Sequence, residues 1–232
     1  MSSTERSEFD LVLESAARLQ RLVPDAVLVG GSAAAFHARH RVSFDHDHVV
    51  ADLHERFDAV LDAIETDDGW ALNRLVPGKI ILGELGGIET GVRQMIRARP
   101  LEVEHVVLDS GAQLVVPTLA EALRVKAFLA VRRNQVRDYL DIAALANRLG
   151  THEAAGILEN IDEYYPDHRA AGDLSVASQV TRQLADPRPA DSDVIKELPA
   201  YRALDPRWTW KAVCEQLAQV ADAMVESDSG SA

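Results

Sequence analysis

The chain has 232 residues, 47% hydrophobic and 26% charged, the composition of a folded protein with a sizeable core rather than of a disordered, collagen-like or coiled-coil chain. Its single cysteine, Cys214, excludes an internal disulfide framework and a cysteine-based zinc cluster. A net charge of −13 argues against a generic nucleic-acid coat, although residues 93–137 run against that trend, with eight Lys and Arg against four Asp and Glu.

Helical spacing of Phe9, Val12, Ala16, Leu19 and Val23 predicts a first helix over 7–23, closed by Pro24. Ala26–Val29 is a short apolar run, read as a buried strand. Gly30-Gly31-Ser32 follows, then Ala33–Ala38 as a helix. The alternation of Phe44–Ala51 reads as a strand, and Leu53–Ile64 as a helix with Phe57, Val60, Leu61 and Ile64 on one side. Strands are predicted at 70–75, 79–82, 88–96 and 101–108, punctuated by Pro77-Gly78 and Gly86-Gly87. Beyond Ser110-Gly111 the pattern turns helical. Thr118-Leu-Ala-Glu121 is a capping box, and helices are expected at about 118–132, 135–149, 152–160, 174–185 and 209–225. The expected fold class is α+β: a mixed-sheet core over 1–112, a helical domain over 113–226 and a polar tail over 227–232. No run of about eighteen apolar residues predicts a membrane span. Met1–Asp10 carries Glu5, Glu8 and Asp10 and no apolar signal core, so a reducing cytoplasm is the expected compartment.

Three groups of residues carry chemistry. Gly30, Gly31 and Ser32 stand at a helix start, where bare backbone N–H groups bind anions; small residues there equally serve tight packing. Asp45 and Asp47 follow in Ser43-Phe-Asp45-His-Asp47. Two residues apart on a strand, they project from one face, and two carboxylates so close repel unless a cation lies between them. Hard oxygen donors of this kind suit Mg²⁺ together with substrate phosphate. Two solvent-facing aspartates on an edge strand are the plain alternative. The third group is Lys126 on one predicted helix with Asp138 and Asp141 on a shared face of the next. Ordinary ion pairing accounts for such a set, and a lysine also suits a triphosphate.

A Gly-Ser turn opening a helix, followed by Asp-x-Asp on the next strand, resembles the nucleotidyltransferase fold related to DNA polymerase beta. That fold implies a third carboxylate on a later strand. In Ile88–Ile96, Glu89, Arg93 and Met95 face one way, which makes Glu89 the candidate, with Glu102 and Glu104 as rivals. Taken together, Gly30-Gly-Ser-Ala33, Arg41-x-Ser43-x-Asp45-x-Asp47, Lys126-x5-Arg132 and Arg137-Asp-Tyr-Leu-Asp141 resemble the AbiEii/AbiGii toxin-like nucleotidyltransferase family over residues 30–145. The resemblance implies a polymerase-beta-type core joined to a helical domain, in a family with toxins of toxin–antitoxin and phage-defence systems among its members. It implies that Asp45, Asp47 and Glu89 hold Mg²⁺ and that Gly30, Gly31 and Ser32 meet phosphate. Lys126 and Arg132 would bind the NTP, while Asp138 and Asp141 complete the site. It also implies an acceptor, with RNA favoured by the basic stretch, and a cognate antitoxin as a partner; no membrane is involved.

One departure stands out. The residues beside the acids are usually apolar in that family, and here they are His46 and His48. They read either as satisfied core histidines or as the lining of a second site. The histidines also admit a rival enzyme, a metal phosphohydrolase using His46-Asp47 as a dyad, although such dyads need a helical scaffold. A non-catalytic relative serving as an interaction module is the remaining alternative.

Overall fold

The computed structural model of the chain describes residues 3–168, 174–201 and 203–230, with side chains described within 8–226. It divides into two compact units. One comprises Met1–Phe36 and Val42–Thr118, the other His37–Arg41 and Leu119–Ala232.

In the first unit α1 (Ser3–Leu22) precedes β1 (Val27–Val29), α2 (Gly30–Ala38), β2 (His46–Val50) and α3 (Phe57–Glu65). Then come β3 (Trp70–Val76), β4 (Ile80–Leu85), β5 (Ile88–Gln94), β6 (Val103–Val107) and β7 (Gln113–Pro117). Five strands form one sheet in the order β1-β2-β5-β4-β3. β2 and β5 run parallel, and the other neighbours are antiparallel. The sheet is therefore mixed, and the fold is α+β as its sequence pattern predicts. The apolar stripe expected in α1 is buried at Phe9, Val12, Ala16 and Leu19. Leu19 at its end, with Val23 and with Phe57, Val60 and Ile64 of α3, packs on one face of the sheet against Val50, Ile81, Leu85 and Val92. A helix layer on one face leaves the opposite face for side chains of the other parity, and that face carries the acids.

The compact units differ from the expected division at 112/113 in two places: His37–Arg41 belongs to the helical unit, and the boundary lies one strand later. Gln113–Pro117 is a strand, paired antiparallel with β6 in a separate two-stranded sheet, so the first unit runs on to Thr118. Gln20 of α1 anchors it, its Nε2 donating to Val115 O at 2.8 Å and its Oε1 accepting from Val115 N at 2.7 Å.

The second unit is helical: α4 (Leu119–Arg133), α5 (Val136–Leu149), α6 (Thr151–Glu159), α7 (Val176–Ala185) and α8 (Trp210–Gly230). Short 3₁₀ segments lie at Asn160–Glu163 and Ser192–Ala200. Leu123, Phe128, Leu140, Leu158, Val180 and Leu217 are buried in its core. Asn134, in the left-handed region at φ 51°, turns the chain between α4 and α5. The Ser175 side chain caps α7, accepting from Ser178 N at 3.1 Å. Glu121, expected in a capping box, accepts from Arg124 Nη1 through Oε2 at 3.0 Å. The tail expected at 227–232 falls where the α8 backbone continues to Gly230, and Ser231 and Ala232 lie outside the described residues. No helix among the described residues is long and apolar enough to cross a membrane.

Candidate active site

Strand alternation on β2 separates two chemistries. His46, His48 and Val50 are buried toward the helices, while Asp47 and Val49 point the other way, with Asp45 just before the strand. Parallel pairing sets Asp47 opposite Gly91 and His46 opposite Thr90 on β5. Glu89, Gly91 and Arg93 therefore share the acid face. Glu89 is exposed there, and Glu84 of β4 is its register partner across the antiparallel pair. Like charges directly opposite on one face are unfavourable unless a cation offsets them. Glu84 was not singled out by sequence reasoning; only the strand register shows it. Glu104 lies on β6, in the other sheet, and Glu102 just before it.

Glycine makes room for the central carboxylate. A Cβ at residue 91 would lie 2.2 Å from Asp47 Oδ1 and 3.1 Å from Leu82 Cδ2, so no other residue fits beneath Asp47 without displacing it. At the start of α2, Gly30 adopts φ +75°, and a Cβ there would stand 3.6 Å from Asp47 Oδ2. Asp47 is thus laid over β5 and beside the first residue of α2. Gly31 is partly exposed in that first turn. Ser32, by contrast, is buried, and its hydroxyl donates to the Asp45 carbonyl, tying α2 to the entry of β2. Ser43 Oγ donates to Asp45 Oδ1 at 2.8 Å, and Arg93 Nε to Asp47 Oδ1 at 3.2 Å. Oδ2 of both aspartates accepts no hydrogen bond from the described residues. Two hard oxygens on one face, one of them laid over a glycine, fit a hard divalent cation. Among the described residues no three His, Cys, Asp or Glu side chains are grouped to hold one.

Behind the acids lies a buried histidine pair, rings 5.2 Å apart and perpendicular. His46 Nε2 sits 3.0 Å from Ser15 Oγ and 3.1 Å from Thr90 Oγ1. Both hydroxyls donate their protons to carbonyls, Ser15 to Leu85 O at 3.2 Å and Thr90 to Ile88 O at 2.9 Å. An Nε2–H tautomer of His46 satisfies Nε2 and both hydroxyls at once. Burial brings the His46 pKa down to about 4, with the Asp45 charge opposing. His48 is fully buried, neither ring nitrogen has a hydrogen-bond partner among the described residues, and burial holds its pKa well below the ordinary histidine value. These are core histidines. His46 and Asp47 point to opposite faces of a strand, which removes the shared geometry that a His-Asp dyad needs.

The pair gives the fold an acid sensitivity. The unfolded chain takes up these protons near pH 6.5, the folded chain only near pH 4 at His46. Stability is therefore complete above about pH 6.5 and lost as pH falls toward 4, by up to about 3 kcal/mol from His46 alone. Urea midpoints between pH 7 and 4.5 check this. His48→Leu is expected to raise the midpoint at pH 7 and flatten its decline; identical profiles for the two proteins would contradict it.

In the second unit, the residues expected to bind nucleotide form a buried ion-pair network. Lys126 is 2% exposed, and its Nζ lies 2.6 Å from Asp141 Oδ2 and 3.4 Å from Asp138 Oδ1. Asp141, fully buried, also accepts Arg41 Nε at 2.9 Å on Oδ1 and Arg41 Nη2 at 3.1 Å on Oδ2, with His40 Nε2 at 2.7 Å. Asp138 accepts Arg133 through two bonds, 2.6 and 2.7 Å. Burial alone would raise the Asp141 pKa, yet the Arg41 and Lys126 charges and the His40 hydrogen bond hold it well below the carboxylate range. Burial lowers the His40 pKa, against the hydrogen bond to Asp141. Arg132 and Arg137 are exposed on either side of the Asn134 turn. In the basic stretch Arg97 binds the Arg99 and Pro100 carbonyls, and Arg124 lies over the Tyr164 ring at 4.0 Å. Arg41 stands in the quoted motif, but a partner 100 residues away leaves no local signal.

No family model matches the chain. Its sequence is 32% identical over 241 residues to the heme uptake protein MmpL11 of Mycobacterium tuberculosis, covering 93% of this chain and 23% of that protein. It is 36% identical over 130 residues to the mycolic acid-containing lipids exporter MmpL11 of Mycolicibacterium smegmatis, covering 56% of this chain and 13% of that protein. The chain thus spans less than a quarter of the length of these curated relatives. Among solved structures, the MenT4 nucleotidyltransferase toxin of Mycobacterium tuberculosis aligns over 93% of both chains at 17% identity, with a TM-score of 0.47. A crystal structure from H. pylori, assigned as a nucleotidyltransferase, aligns over 98% of this chain and 97% of that one at 14% identity, with a TM-score of 0.55. The strand order, the acid-bearing face and this last likeness together give the chain the nucleotidyltransferase fold.

Proposed function

We propose that the chain is a Mg²⁺-dependent nucleotidyltransferase that moves a nucleotidyl group from an NTP to an acceptor oxygen and releases pyrophosphate. The observation that carries this reading is Asp47, laid over Gly91 and beside the start of α2, on the face that also carries Glu89. Asp45 and Asp47 are the proposed ligands through their open Oδ2 atoms, and Glu89, exposed on β5 of the same face and not grouped with them here, is the candidate third acid. When bound, Mg²⁺ supplies a lowered pKa at the acceptor oxygen and charge neutralisation at the leaving pyrophosphate. The first-turn N–H groups of α2, at Gly30 and Gly31, offer donors for phosphate oxygens. Ser32 positions Asp45 through its carbonyl, and Ser43 orients the Asp45 carboxylate. Lys126, Asp138 and Asp141 serve as the internal ion-pair core of the helical unit. RNA is the proposed acceptor class, because Arg132 and Arg137 remain exposed for backbone phosphates, which position a strand without reading its sequence.

The test is incubation of the purified chain with each labelled NTP, Mg²⁺ and total cellular RNA and protein. Label is expected in RNA, sensitive to salt and absent with EDTA. Label confined to protein would overturn the acceptor, and no label in any fraction the reaction.

A further inference from the structure

Arg93 differs from Arg41 and Arg133, the arginines that meet the buried aspartates of the helical unit. Arg41 and Arg133 each grip a fully buried aspartate through two hydrogen bonds. Arg93 touches Asp47 through Nε alone, at 3.2 Å, with its side chain 41% exposed and that of Asp47 32% exposed. Its two Nη groups make no hydrogen bond to the described residues. It is set two residues beyond Gly91 on the same strand face, opposite Val49 of β2 and Ile80 of β4, so its guanidinium flanks the notch that holds the Asp47 carboxylate.

A single long contact on a half-exposed surface is weak and easily exchanged. A cation bound at Asp47 would compete with it directly, because a guanidinium and a divalent ion carry like charge and claim the same oxygen. A triphosphate offers the released guanidinium a better partner: several anionic oxygens at a spacing that suits its planar fork. We propose that Arg93 is an exchangeable cation of this site, neutralising Asp47 while no divalent ion is bound and turning to a phosphate of the incoming NTP when one is. The proposal rests on the nucleotidyltransferase reading and assigns a nucleotide-binding residue to it.

The two halves of the exchange have opposite signs, which makes them separable from simple damage. Mn²⁺ binding by the full chain without nucleotide, followed by water-proton relaxation, is expected to become several-fold tighter in Arg93→Ala. Binding of a non-hydrolysable NTP analogue with Mg²⁺, followed by calorimetry, is expected to weaken on the order of tenfold or more, the scale of a lost charge-assisted hydrogen bond. Arg93→Lys is expected to keep Mn²⁺ binding near wild type and to recover the nucleotide only in part, since an ammonium lacks the fork. Thermal melting of the variants, expected to match wild type, monitors the fold. If the wild type binds Mn²⁺ and the analogue but Arg93→Ala shifts neither, or weakens both, the exchange is wrong and the nucleotidyltransferase reading stands. If the wild type binds neither, both fall together.

Discussion

Replacing Asp47 by Asn is expected to lower Mg²⁺-dependent nucleotidyl transfer by at least about 10²–10³-fold, the scale on which one preorganised electrostatic group acts at a reacting centre. The side chain keeps its shape, so it still fits over Gly91, where a Cβ would stand 2.2 Å from Oδ1. The amide oxygen can still accept from Arg93. What disappears is the negative charge, and with it half of the paired-aspartate ligand set. The fold should tolerate the change. The lost ion pair is half-exposed and single-point, and such pairs contribute about 0–1 kcal/mol. Rate, Mn²⁺ affinity and melting temperature measured on the same protein check all three parts. Transfer at the wild-type rate would remove Asp47 from the reaction. A large drop in melting temperature would instead mean that the carboxylate serves the sheet.

The acid pair was readable from sequence because strand alternation is a local rule. Two carboxylates two residues apart must share a face, and the flanking Val49 and Val50 mark the strand. The same rule sent His46 and His48 to the opposite face and into the core. It does not reveal that His48 lies there without a hydrogen-bond partner among the described residues, because that depends on the elements packed around it. Strand β7 is hidden in the sequence for a comparable reason. Gln113–Pro117 is too short to show a period, and its partner β6 is what makes it a strand. Gly91 looked like any glycine inside a strand until the register set it under Asp47. Ser32 suited a phosphate contact by type, but burial turned its hydroxyl to the Asp45 carbonyl. Motifs specify residue types and spacing; whether a polar group meets a ligand or a neighbour is decided by packing.

The ion-pair network of the helical unit puts that distinction to a quantitative test. Asp141→Asn is expected to destabilise the chain by about 3–5 kcal/mol, the cost of removing one partner from a buried set and leaving the others uncompensated. The Arg41 guanidinium would keep an amide oxygen in place of a carboxylate. Lys126, 2% exposed, would be left with Asp138 at 3.4 Å, which Arg133 already grips. Asp138→Asn should be milder, because the Arg133 side chain is 34% exposed and can turn to water. The acid dependence has a definite sign. Asp141 is held well below its ordinary pKa, so its contribution is present above about pH 4 and is lost as pH falls below that, where the unfolded carboxyl is already protonated. Urea unfolding of the three proteins, at pH 7 and at pH 3, measures each statement. The size of the loss also decides what these residues are for. A strongly destabilised Asp141→Asn protein that still transfers nucleotide when kept folded assigns the network to the interior of the helical unit. A variant as stable as wild type, but without transfer, would return Lys126, Asp138 and Asp141 to the nucleotide, as their motif implied.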